Sequence, residues 1–115
     1  MNSSDSLILL QQIESKLLFG ELIEQIKKDA NFSGVDFQCE KDSSGEQFIR
    51  DLYDLLLHLI VNDFGTYLNF LYRVDVSERT LKEMDEEAPE KIAQKVTFLI
   101  IKREWQKVFF RNKTQ

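Results

Sequence analysis

Apolar residues recur at helical spacing along most of the chain, and the pattern divides it into helices of unequal length. The first predicted helix starts at Ser4 or Asp5, either of which can cap it, and ends near Ala30. Its stripe changes side: Leu9, Leu10, Ile13 and Leu17 share one face, whereas Phe19, Leu22, Ile23, Ile26 and Ala30 share another, with Gly20 at the changeover. A kink at Gly20 accounts for this, as does a straight helix whose two halves bury against different partners. The segment from Asn31 to Gly45 holds Ser33-Gly34 and Asp42-Ser43-Ser44-Gly45 and reads as one long loop, pinned to the core by Val35 and Phe37.

A second helix begins near Glu46 or Gln47 and presents Phe48, Leu52, Leu55, Leu56, Leu59 and Ile60 as a wide apolar face, which makes it the central helix. Tyr67, Phe70, Leu71 and Val74 stay in phase if it runs on to Arg73, but Asn62 and Asp63 are good N-caps and Gly65 eases a bend. The sequence therefore favours two helices nearly end to end. Ser77 caps a short helix that ends in the acidic run Met84 to Glu87, and Pro89 opens a last helix reaching to near Arg111. That helix shows two apolar faces. Ile92, Val96, Leu99 and Ile100 form one, and Phe98, Ile101, Trp105, Val108 and Phe109 form the other, nearly opposite.

These elements predict an all-α fold, a compact and mostly antiparallel bundle of four or five helices. Residues 1–115 form a single domain, with a long loop at about 31–45 and a basic tail at about 111–115. Composition agrees: Leu, Ile, Val and Phe are 39 of 115 residues, enough for a core, while Gly and Pro total five, too few for the many turns of an all-β chain. No apolar run reaches the roughly 18 residues that span a bilayer, and the N-terminus lacks a basic region and cleavage site, so a cytoplasmic protein is expected. Cys39 is the lone cysteine, without a partner for a disulfide or a basic neighbour to activate it.

A net charge of −5 argues against general nucleic-acid affinity, yet the charge is uneven. Residues 75–91 carry seven acidic and three basic groups, whereas residues 102–115 carry five basic groups against Glu104. Within that basic end, Arg103 lies on the same stripe as Ile92, Val96, Leu99 and Ile100. A guanidinium on an apolar stripe predicts burial beside a carboxylate, with Asp63 and Asp75 as candidate partners. Alternatively, Arg103 and Arg73 together form an anion site. Arg103, Lys107 and Arg111 recur every fourth residue with Trp105, Phe109 and Phe110 interleaved, a mix that can hold phosphates and stack bases. Asp54 and His58, four residues apart, have ligand spacing, but a helical metal site needs further ligands and the chain has one His.

No nucleophile motif, phosphate-binding Gly-rich loop or cofactor fingerprint is present. The reading is a non-enzymatic protein without cofactor or metal that acts through protein contacts as a homodimer. Surplus apolar surface carries it, on Ile101, Trp105, Val108 and Phe109 of the last helix and on Leu9, Leu10 and Ile13 of the first. Binding of anions or nucleic acid through Arg103, Lys107 and Arg111 is the alternative.

The segments Leu71-Tyr72-Arg73-Val74-Asp75-Val76-Ser77-Glu78 and Ile101-Lys102-Arg103-Glu104-Trp105-Gln106-Lys107-Val108 resemble paired segments of small bacterial helical proteins. The likeness covers mainly the C-terminal half. It implies a compact cytoplasmic helical protein and assigns no reaction and no functional residue.

Overall fold

The computed structural model describes residues 3–13 and 16–113, and these are helical apart from short connections. Six helices follow one another: α1 (Ser3–Gln11), α2 (Lys16–Phe32), α3 (Gly45–Asn62), α4 (Phe64–Val74), α5 (Glu78–Lys82) and α6 (Pro89–Lys113). The count exceeds the expected four or five because the first helix is split. The split is not at Gly20, which sits inside α2 with open space around its α-carbon; it lies between Gln11 and Lys16. Ser4 and Asp5, the expected caps, are within α1. The expected tail at 111–113 is the last turn of α6, and residues 114–115 lie outside the described residues.

Asp63 ends one helix and starts the next. Its backbone N–H donates to the Leu59 carbonyl at 2.8 Å, while its side chain accepts from Thr66 N at 3.3 Å and from Thr66 Oγ1 at 2.7 Å. Asp75 closes α4 in the left-handed region at φ 75°, where a short polar side chain is tolerated better than most. Ser44 caps α3 by accepting from Gln47 N at 3.1 Å. Ser77 occupies the N-cap position of α5 but makes no side-chain capping bond.

The core gathers on α3 and α6, with α2, α1 and α4 packed around that pair. Phe48, Leu52 and Leu56 from α3, Leu22, Ile23 and Ile26 from α2, and Phe70, Leu71 and Val74 from α4 are fully enclosed. Between α2 and α3 the chain runs extended, and its alternate residues Val35, Phe37 and Cys39 point inward. No strand occurs among the described residues, and no helix is long and apolar enough to cross a membrane.

The burial of α6 corrects the two-faced reading. Ala93, Val96, Thr97, Ile100, Ile101, Glu104 and Val108 are the buried residues, and on a helical wheel they centre between the two expected stripes, taking Val96 and Ile100 from one and Ile101 and Val108 from the other. Two polar residues, Thr97 and Glu104, stand at the middle of this face and disguise it. Thr97 is satisfied within its own helix, its hydroxyl donating to the Ala93 carbonyl at 2.7 Å. Glu104 is not satisfied in this way, since neither of its oxygens accepts an aligned hydrogen bond.

Candidate functional site: a buried ionic cluster and two apolar surfaces

Asp29 on α2 and Glu104 on α6 are both withdrawn from water, at 3% and 0% exposure. Each follows from helical spacing. Asp29 is three residues beyond Ile26 and directly before Ala30, and Glu104 lies four residues from both Ile100 and Val108. Lys107 bridges the two acids, its Nζ 3.0 Å from Asp29 Oδ2 and 3.3 Å from Glu104 Oε2. Asp29 also accepts from Gln25 Nε2 at 3.2 Å and from Arg73 Nε at 3.4 Å, and the Arg73 guanidinium lies 4.1 Å from the Phe32 ring centroid.

With both carboxyls ionised, neither oxygen of Glu104 has a hydrogen-bond donor aligned with it. A proton on Glu104 removes the conflict, because the acid can then donate to the Asp29 carboxylate. Burial first, and then the hydrogen bond and charge of Asp29, push the Glu104 carboxyl up to about 9. Burial also raises Asp29, but hydrogen bonds from Glu104, Lys107 and Gln25 outweigh it and hold that carboxyl below its usual range. At neutral pH the cluster is thus one carboxylate and one neutral acid between two cations.

Further polar rungs join the same two helices. Arg111 Nη1 donates to Gln25 Oε1 at 2.9 Å, and Asn112 Nδ2 donates to Glu21 Oε2 at 2.7 Å. Positions on α2 rise from 21 to 25 to 29 as those on α6 fall from 112 to 111 to 107, so α2 and α6 run in opposite senses.

The sequence candidates are distributed as follows. Arg103 is not buried: its Nη2 lies 3.3 Å from Asp75 Oδ2, with the side chains 36% and 78% exposed. Asp63 serves as a helix cap, and Arg73 joins Asp29 and does not meet Arg103 in a shared anion site. Lys107 and Arg111 are directed to acids of α2. Of the contact candidates, Ile101, Val108 and Leu10 are buried within the chain, which removes them from any contact surface. Leu9, Ile13 and Trp105 are half-buried, and Phe109 is 45% exposed. His58 and Asp54 are exposed, and His58 Nδ1 is 3.2 Å from Asn62 Nδ2. Among the described residues no cluster of three His, Cys, Asp or Glu is placed to hold a metal.

Two apolar surfaces stand out among the described residues. At the end where α2 begins and α6 finishes, Leu17, Phe109 and Phe110 are 73%, 45% and 57% exposed. The Phe109 ring packs 6.0 Å from Trp105 and 5.7 Å from Phe110, forming an aromatic edge. At the other end of α6, a groove of about 260 Å³ lies among α4, α5 and the first turn of α6. Buried Tyr67 and Met84 line it together with Leu81 and Ile92, and exposed Phe64 and Tyr72 stand on its rim.

Comparison of the chain with protein families, with curated proteins and with solved structures finds no match. The site residues are therefore read from their own geometry.

Proposed function

We propose that this chain is a protein-interaction module that works as a homodimer and not through catalysis, with the aromatic end of α6 as its contact. The observation that supports this is the exposure of Phe109 and Phe110 near the end of α6, with Leu17 exposed near the start of α2. Large apolar side chains grouped on a surface rimmed by charge mark contact sites. The reading is narrower than the apolar stripes alone suggest, since Ile101, Val108 and Leu10 are used internally. Binding of anions or nucleic acid is the weaker alternative, because Arg103, Lys107 and Arg111 are already directed to Asp75, Asp29 and Glu21.

The test is the mass of the purified chain in solution at micromolar concentrations. A dimer that Phe109→Ser or Phe110→Ser dissociates, with helicity unchanged, agrees with the reading. A wild-type chain that stays monomeric throughout overturns it.

A further inference from the structure

The two apolar surfaces carry opposite charge. The groove's charged lining is Glu78, Asp85 and Lys82, a net single negative charge. Tyr72 and Glu78 both line the groove, and the Glu78 carboxylate pushes the Tyr72 hydroxyl above its ordinary range. On the aromatic edge, Arg103, Lys107 and Arg111 are already directed to Asp75, Asp29 and Glu21, which leaves Lys102 and Lys113 as its outward cations. Lys102 and Lys113 are exposed on that helix, and Lys113 Nζ is 5.9 Å from the Phe109 ring centroid.

Size and placement fit as well. At about 260 Å³ the groove is smaller than the roughly 300–1,000 Å³ of small-molecule sites, and suits an inserted side chain or two. Ile92 in the groove and Phe110 on the aromatic edge are 18 residues apart, five full turns, and so project from the same side of α6. A two-fold axis across the middle of α6 brings each end of one copy to the opposite end of the other.

Resting on the homodimer reading above, we infer that the acidic groove among α4, α5 and α6 receives the Phe109–Phe110 end of α6 from a second copy of the chain. Two copies make this contact twice, so the assembly closes as a dimer without an open end. The apolar insertion supplies affinity, and Lys102 and Lys113 against Glu78 and Asp85 supply register.

Complementation in mixed full-length chains tests this. Phe64→Glu disables the groove rim and Phe110→Glu disables the helix end; both residues are exposed, so the fold is spared, and circular dichroism confirms it. Each variant alone is expected to associate at least about tenfold more weakly than wild type, while an equimolar mixture, which restores one intact groove and one intact end, associates better than either. The paired charge exchange Asp85→Lys with Lys113→Glu, carried on separate chains, gives a second mixture with the same expectation. A Phe64→Glu chain that still dimerises while Phe110→Glu does not leaves the homodimer in place and overturns the groove as its receptor. A monomeric wild type overturns both.

Discussion

Glu104 and Asp29 meet across the boundary of α6 and α2 as a neutral acid and its charged acceptor, with Lys107 within 3.3 Å of both. In the folded chain Glu104 keeps its proton up to about 9, against an ordinary value of 4.5 in the unfolded chain. The folded state therefore binds more protons between those values, and stability falls as pH rises through that window. The contribution is complete below about 4.5 and gone above about 9. Asp29 acts in the opposite sense and further down, losing its contribution as pH falls below its ordinary 3.8. The unfolding free energy from urea titrations is expected to decline from about pH 5 to about pH 8, by at most about 1.4 kcal/mol per pH unit. Glu104→Gln keeps the shape and donates an amide hydrogen to Asp29, so it flattens that decline. An unchanged slope in the Gln variant would show that Glu104 is ionised.

Lys107 and Arg103, four residues apart, are expected to respond very differently to truncation. Lys107→Met strips a buried carboxylate of its closest cation and costs about 2 to 3 kcal/mol; Gln25, Glu104 and Arg73 remain on Asp29, which keeps the loss under the 3–5 kcal/mol of a wholly orphaned charge. Arg103→Ala removes a pair whose side chains are 36% and 78% exposed and costs under about 1 kcal/mol. Thermal melts of the two variants, run side by side, check the contrast.

Gly20 and Gly45 separate in the same way. A β-carbon at Gly20 meets nothing within 4 Å and the residue is helical, so Gly20→Ala is expected to stabilise by about 0.5 to 1 kcal/mol. At Gly45 the added carbon falls 3.3 Å from Leu10 Cδ1 and 3.6 Å from Leu7 Cδ1, so in Gly45→Ala the Leu10 side chain must give by a few tenths of an ångström. Denaturation midpoints are expected to rise for the first and to gain less, or not at all, for the second.

The Cys39 thiol is 7% exposed, and burial pushes it above its ordinary range. Its reaction with a thiol-disulfide reagent at neutral pH is expected to be slow in the folded chain and to complete promptly in denaturant. Rapid reaction of the folded chain would show that the extended segment over the core opens freely.

The helical class, the long loop expected at about 31–45 and the division at Asp63 were legible because each rests on local chemistry: stripe spacing, Gly and Ser clusters, and a capping side chain. The break between Gln11 and Lys16 was not, since Gly20 offered a more conspicuous place for the stripe to change. On α6 the apolar residues flank the true core face and polar Thr97 and Glu104 occupy its centre. A wheel read from hydrophobicity alone therefore yields two stripes where there is one broad side. That error drew attention to Arg103 and away from its neighbour Glu104. The pairing with Asp29 spans 75 positions in sequence, and only the packing of α2 against α6 discloses it.

The junction at Asp63 leaves the chain no slack there. One residue is all that separates α3 from α4, so a single inserted residue would turn α4 by about 100° and swing Phe70, Leu71 and Val74 away from the interior. The tract from Ser33 to Ser44, by contrast, has length to spare outside its three inward anchors. Natural variation in chain length should accumulate in that tract and spare the corner.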